Sequence, residues 1–286
     1  MAEQAPEPTP EVASLVGPFS TQTLLVASLS LAVLVITLVT LLGRRKASSK
    51  GTALLLVGAP DAGKTSILSA LYSGRRLQTH TSLQPSSSLV SLLDSKKTWK
   101  VIDIPGHPRV RDHYREHLEE AKVVAFVVDT STISRNGSAV AEHLHLILHS
   151  LTSVPPSQKP PSLLIIAHKT DLMRTPASAT SASTVSITRV KTILERELDR
   201  RRVAQLGGVG VEGLGEEEGA SEMGGLECSG DSGGAFRFAE WEGGEVAFVG
   251  SYISLGPNAA ASDDEKKVDE DADGLVELRE WLEENL

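Results

Sequence analysis

The chain has 286 residues, room for one medium domain with appendages, and 40% are hydrophobic, enough for a packed core. Its formal charge of −9 sits mostly in the tail, where residues 258–286 carry 11 acidic and 3 basic side chains. The lack of a basic surface argues against direct nucleic-acid binding, and a single cysteine, Cys228, excludes an internal disulfide and fits a reducing compartment.

Residues 1–20 are rich in Pro and Glu and read as a disordered segment. Residues 21–42, TQTLLVASLSLAVLVITLVTLL, carry no charge. A helix needs about 20 apolar residues to cross a hydrocarbon core about 30 Å thick, and this run supplies them. Gly43-Arg44-Arg45-Lys46 follows directly, whereas only Glu3, Glu7 and Glu11 precede it. The positive-inside tendency then predicts a single-pass transmembrane helix with the C-terminal part in the cytosol and residues 1–20 across the membrane. A cleaved signal peptide would carry the opposite charge order. Residues 43–51 form a short basic linker.

From residue 52 onward, apolar β-type runs alternate with helical patterns. The strands are expected at 52–58, 99–104, 123–129, 162–168 and 245–250, and the helices at 64–73, about 111–121, 140–151 and 183–202. Near-continuous apolar strands between helices predict an α/β domain with a mostly parallel sheet covered on both faces. Residues 204–243 are Gly-, Ser- and Glu-rich without periodicity and are expected to be a flexible insertion. A last helix, about 272–286, puts Leu275, Leu278 and Leu282 on one stripe that packs on the sheet. Trp99 is expected to pack within its strand, and Trp281 to cap the core.

Gly58-Ala59-Pro60-Asp61-Ala62-Gly63-Lys64-Thr65 matches G-x-x-x-x-G-K-[ST] without a gap, after a strand and before a helix. Such a loop turns successive backbone N–H groups onto phosphate oxygens, with the helix dipole behind them. The expected phosphate contacts are Gly58, Asp61, Ala62, Gly63, Lys64, Thr65 and Ser66, with the Thr65 hydroxyl on Mg2+. Asp103-Ile104-Pro105-Gly106-His107 closes the next core strand. It offers Asp103 to the magnesium shell and the Gly106 N–H to a γ-phosphate. Thr81, with Thr79 as the alternative, is expected to close over Mg2+ from the loop after the first helix. His168-Lys169-Thr170-Asp171 follows the fourth strand in the order of the N-K-x-D guanine motif. Asp171 can accept from the ring N–H and the amino group of guanine, donors that adenine lacks. The Lys169 stem can lie over the base, and His168 can donate to a ring nitrogen. His113 and His117, like His145 and His149, stand four apart on expected helices. No Cys/His cluster completes a metal site around them, so they read as solvated helix faces.

These segments resemble the small GTPases from residue 52 to 286, apart from the glycine-rich insertion. With the N-terminal anchor, GAPDAGKTSI, QTHTS, VIDIPGHPRVR and the final helix with Trp281-Leu282, the package is similar to one branch, the signal recognition particle receptor beta subunits. The resemblance implies GTP/GDP and Mg2+ as ligands. It implies docking of the receptor alpha subunit through the switch regions, and anchoring in the endoplasmic reticulum membrane through residues 21–42. Ribosome–nascent chain complexes would then be reached only indirectly. His168 stands where that family's motif has Asn. Gly250-Ser251-Tyr252-Ile253-Ser254 stands where many relatives have Ser-Ala-Lys, so Ser251 or its neighbour would offer backbone N–H groups to the base. His107 occupies the place of a water-orienting Gln, and with no arginine assignable as an internal finger, slow intrinsic hydrolysis is expected. Two other readings compete. One is an ATP-using membrane-anchored P-loop enzyme, which lacks here an LSGGQ-type helix or an arginine-rich lid. The other is a scaffold with a degenerate site, against which Lys64, Thr65 and Asp103 stand intact.

Overall fold

A computed structural model describes residues 25, 27–35, 51–74, 79–91, 98–155, 158–173, 181–208, 224–228, 234–253 and 274–286. The chain divides into two units, Met1–Ser49 and Lys50–Leu286. In the first, residues 25 and 27–35 are helical and exposed. No helix among the described residues is long and apolar enough to cross a membrane. Residues 1–20, most of the expected span 21–42 and the linker up to residue 50 lie outside the described residues.

The second unit is built on six strands: β1 (Ala53–Gly58), β2 (Ser86–Ser91), β3 (Thr98–Asp103), β4 (Ala121–Asp129), β5 (Ser162–His168) and β6 (Val246–Gly250). Their order is β2-β3-β1-β4-β5-β6, with β2 antiparallel to β3 and every other pair parallel. The helices are α1 (Lys64–Ser73), α2 (Tyr114–His117), α3 (Ile133–Thr152), α4 (Ala182–Gly208) and α5 (Val276–Asn285). Because side chains alternate along a strand, Leu55 and Val57 of β1 enter one apolar cluster with α3 and α4. Leu54 and Leu56 enter another with α1 and α5. Each fully buried Leu or Val contributes roughly 1.5–3 kcal/mol, and the parallel strands, apolar on both faces, supply most of them.

The expected elements shift in four places. Strand β2, SSSLVS, was not anticipated; it is a polar edge strand in which only Val90 is buried. The helix expected at about 111–121 is instead two 3-10 turns, Arg111–His113 and Leu118–Glu120, around the single turn of α2. Helix α3 starts at Ile133 rather than 140, through Ser134, Asn136 and Gly137, residues of low helix propensity. Packing on α4 overrides propensity there: a Cβ on Gly137 would stand 2.9 Å from the Ile193 side chain.

The fourth concerns the insertion expected at about 204–243. Within it, Leu226, Phe236, Phe238 and Trp241 are buried in the first cluster. Helix α4 catches this segment with two carboxylates one turn apart. Asp199 accepts from the Phe236 N–H at 2.8 Å; Glu195 accepts from the Phe238 N–H at 3.2 Å and from Arg237 at 3.0 Å. The Trp241 indole donates to Gly225 O at 2.8 Å. These stretches are part of the domain; the rest of 204–243 beyond α4 lies outside the described residues. His145 departs from expectation for the same reason. It is buried, with Nε2 3.2 Å from Gly224 O, rather than on a solvated face. Helix α5 places Leu278 and Leu282, with Leu275, in the second cluster, and Trp281 packs half-buried against it.

Candidate functional site

Parallel strands end together, and here the C-terminal ends of β1, β3, β4, β5 and β6 bring Gly58, Asp103, Asp129, His168 and Gly250 to one edge of the sheet. The loop after β1 needs left-handed backbone at Asp61 (φ 56°) and Gly63 (φ 100°). It is also crowded, since a Cβ on Gly63 would run into the His168 ring and one on Gly106 would lie 2.5 Å from Gly58 O. A cavity of about 340 Å³ opens above it, lined by residues that include Lys64, Thr65, Thr81, Ser82, Gly106 and Lys169. Lys64 Nζ donates to Gly58 O at 3.0 Å and Ala59 O at 2.8 Å. Burial lowers its pKa to about 8, against the attraction of Asp103 and Asp61. An ammonium held by backbone carbonyls at the mouth of a loop of N–H groups is suited to phosphate oxygens.

Thr65 Oγ1 donates to Asp103 Oδ2 at 2.5 Å, and the Ser82 hydroxyl lies 2.9 Å from Thr65 Oγ1 and 3.3 Å from Asp103 Oδ2. Asp103 is fully buried, and its Oδ1 takes no hydrogen bond from the described residues. Desolvation pushes its carboxyl above the ordinary range, although Thr65, Lys64 and Ser82 oppose this. An orphaned buried carboxylate oxygen beside two hydroxyls is an all-oxygen set that fits a hard divalent cation such as Mg2+. Thr81, expected in this set, instead donates to Asp61 Oδ1 at 2.8 Å, and Thr79 exchanges a 2.7 Å bond with Ser66. The residue that sequence reasoning missed is Ser82, whose only signal was its place in the same polar loop. Among the described residues no three His, Cys, Asp or Glu side chains converge on a metal position.

At the other end of the edge, Lys169 adopts left-handed backbone (φ 61°) and sends Nζ to Asp61 O and Asp129 Oδ2, both at 2.7 Å. Burial works against the Asp129 carboxylate, but bonds from Lys169 and Ser131 hold its pKa below the usual value. His168 is buried, with Nδ1 2.8 Å from Ser251 Oγ, and burial lowers its pKa to about 4. Thr130, another residue the sequence did not flag, fixes this turn by donating its hydroxyl to the carbonyls of His168 (2.9 Å) and Lys169 (3.0 Å). Ser251 is buried behind His168, its N–H on Ala167 O and its carbonyl taking the Thr170 N–H. Asp171 is exposed, and its carboxylate takes no hydrogen bond from the described residues.

His107 is exposed, and its Nδ1 accepts from the Arg109 N–H at 3.3 Å. It does not line the cavity. Arg111 pairs with Glu142 of α3 at 2.9 Å. Neither side chain lines that cavity.

A family model described as "Signal recognition particle receptor beta subunit" matches residues 49–243. The chain is similar to the receptor subunit beta of Mus musculus, 33% identical over 187 residues, which cover 64% of this chain and 64% of the mouse protein. Alignments to the curated beta subunits span 50% to 64% of their length. The fold superposes on the mammalian SRP receptor structure with a TM-score of 0.59 at 25% identity, covering 82% of this chain and 100% of that one. It superposes on the SRb-GTP/SRX complex from Chaetomium thermophilum with a TM-score of 0.55 at 22% identity, covering 82% and 98%. With its small-GTPase fold and a family model matched over more than half its length, this chain belongs to the signal recognition particle receptor beta subunit family.

Proposed function

We propose that the protein is a membrane-anchored GTP-binding subunit that docks the receptor alpha subunit at the endoplasmic reticulum for cotranslational targeting. The observation that carries this reading is the orphaned Asp103 Oδ1 beside Thr65 and Ser82, above a loop whose only buried ammonium is Lys64. Nucleotide phosphates would be held by Lys64 and the N–H groups from Asp61 to Ser66, and Mg2+ by Thr65 and Asp103 with Ser82 or Thr81. When bound, Mg2+ neutralises phosphate charge and fixes its geometry. The loop of Thr79, Thr81 and Ser82 is bonded to Ser66, Asp61 and Thr65, groups at the phosphate position. A ligand that takes those groups re-seats the loop, and the partner surface changes with it. The SRb-GTP/SRX complex from Chaetomium names GTP and a partner for a protein of the same fold.

Hydrolysis is proposed to be slow. His107 Nδ1 is turned to its own loop, and Arg111 is held by Glu142, so neither of these two side chains is set to orient water or stabilise charge at the phosphates. The anchor reading is supported by the apolar run 21–42 and by the exposure of Leu25, Leu29, Leu31 and Leu34.

The test is purification of the full chain in detergent, identification of the nucleotide it carries, and titration with GTP, GDP and ATP in Mg2+. The expected result is bound guanine nucleotide, rejection of ATP, and capture of the alpha subunit only with GTP. Equal affinity for ATP would reject the switch.

A further inference from the structure

We infer that a second cavity, at the sheet edge opposite the nucleotide loops, takes the phosphate of an anionic phospholipid headgroup and sets this face of the domain toward the bilayer. The inference rests on the membrane-anchor part of the function proposed above.

The cavity measures about 930 Å³, within the range of about 300–1,000 Å³ common for small-molecule sites. It is built where the parallel strands begin: Gly51 precedes β1, Ala121 and Lys122 open β4, and Ser162 opens β5. The nucleotide loops follow the other ends of the same strands, so the two cavities are separate. Leu118, Ala121, Val154 and Pro161, buried or half-buried, give this one an apolar lining. Arg115, Lys122 and Lys159 line it too. None of these three pairs with a carboxylate among the described residues, whereas Lys100, Arg111 and Lys169 all do. Lys122 spends one donor on Leu286 O at 2.8 Å, and Lys159 is exposed. Cations without carboxylate partners attract phosphate oxygens. Glu119 and Glu284 on the same wall oppose them, which leaves the wall one net positive charge.

The approach of the chain adds to that sign. Residues 43–50 carry Arg44, Arg45, Lys46 and Lys50 and no acid. Wall and linker together hold seven cations and two acids, in a chain whose formal charge is −9. Eight residues reach at most about 30 Å. With the apolar run 21–42 in the bilayer, Gly51 and the cavity wall are tethered within that distance of it. Each Lys or Arg close to an anionic leaflet adds attraction that fades over a Debye length of about 8 Å. A headgroup seated in the cavity turns this general attraction into a fixed contact. It also leaves the nucleotide edge, at the far ends of the strands, facing a cytosolic partner.

The experiment follows amide hydrogen exchange of the full-length chain in nanodiscs of phosphatidylcholine, with and without phosphatidylserine as one lipid in five. Peptides over 118–122 and 158–162 are expected to exchange at least threefold more slowly with phosphatidylserine, and those over the phosphate loop to be unchanged. Arg115→Gln with Lys159→Gln, two exposed positions, should abolish the difference. Gln at positions 44, 45 and 46 should leave at least half of it. Equal exchange in both lipids overturns the inference, as does a difference that only the linker variant removes. Protection already complete in phosphatidylcholine and lost in the linker variant gives the cavity to the chain's own linker. Protection that grows with protein concentration in detergent gives it to a second copy; both of these outcomes overturn the inference. Failure of the chain to enter nanodiscs is a separate outcome; it overturns the anchor reading and takes this inference with it.

Discussion

The two ends of the site are built on one sheet edge from different materials. At the phosphate end, Lys64, Thr65, Ser66, Thr79, Thr81 and Ser82 reach toward the cavity and hold one another through bonds between hydroxyls, carboxylates and carbonyls. Each of those bonds has a phosphate or cation equivalent, so it can be exchanged for one. At the base end, Thr130, His168, Thr170 and Ser251 are all buried and bonded across loops. Those contacts have no ligand equivalent. The first region is arranged to respond to a ligand and the second to stay still. Substitutions should accordingly fail in two different ways, losing ligand with the fold intact or losing the fold itself.

The largest effect is expected at Lys64. Charge-assisted bonds contribute roughly 1.5–3 kcal/mol, and about 1.4 kcal/mol is a factor of ten in binding. Lys64→Met should therefore weaken nucleotide binding roughly 100-fold. The ammonium is buried and its pKa is lowered to about 8, which marks it as a cost to the fold. Denaturant unfolding of the nucleotide-free variant should show stability equal to or above the parent's. A large stability loss alongside the binding loss would erase the distinction between the two ends.

Gly63 lies on the boundary. Alanine there meets a φ of 100° and the His168 ring together. Left-handed backbone at a non-glycine residue costs about 1–3 kcal/mol and overpacking a similar amount, so Gly63→Ala should destabilise by at least about 2 kcal/mol. His168→Ala in the same chain removes the collision but not the φ strain. Residues in contact couple by about 0.5–3 kcal/mol, and the double variant should recover about 1 kcal/mol over the sum of the singles. Strict additivity in urea titrations would mean that the ring is not what seals this joint.

How much of this could be read beforehand follows the same division. The phosphate loop, the Asp103 turn and the His168–Asp171 segment were legible because backbone geometry fixes spacing, and spacing is written in sequence. The central strands were legible because burial on both faces leaves unbroken apolar runs. Ser82 was not, since choosing among Thr79, Thr81 and Ser82 requires the path of a loop whose residues are all polar. Strand β2 was missed because an edge strand with one buried residue lacks an apolar pattern. The anchors Leu226, Phe236, Phe238 and Trp241 were hidden because they are scattered among glycines, and the carboxylates that seat Phe236 and Phe238, Asp199 and Glu195, lie on α4, distant in sequence. The N-terminal anchor was read from composition alone and remains part of the proposal.

The smallest effect expected at neutral pH separates two buried histidines. His168 has Ser251 as a partner, whereas His143 of α3 lies edge-on to Phe126 at 5.5 Å with its Nε2 taking no hydrogen bond from the described residues. Burial, followed by the positive charges of Arg111 and Lys64, lowers the His143 pKa from 6.5 to about 3. Below pH 6.5 the unfolded chain binds a proton that the folded chain refuses. This contribution to stability is thus complete above 6.5 and falls by about 1.4 kcal/mol per pH unit on the way down to about 3. His143→Leu deletes that slope and an unsatisfied buried nitrogen. It should gain about 1 kcal/mol at pH 7 and pull further ahead of the parent as the pH drops to 5. His168 titrates in both proteins and cancels from the difference. Parallel unfolding curves at pH 7 and pH 5 would show that His143 is not held neutral by its burial, and would place it in the same class as His168.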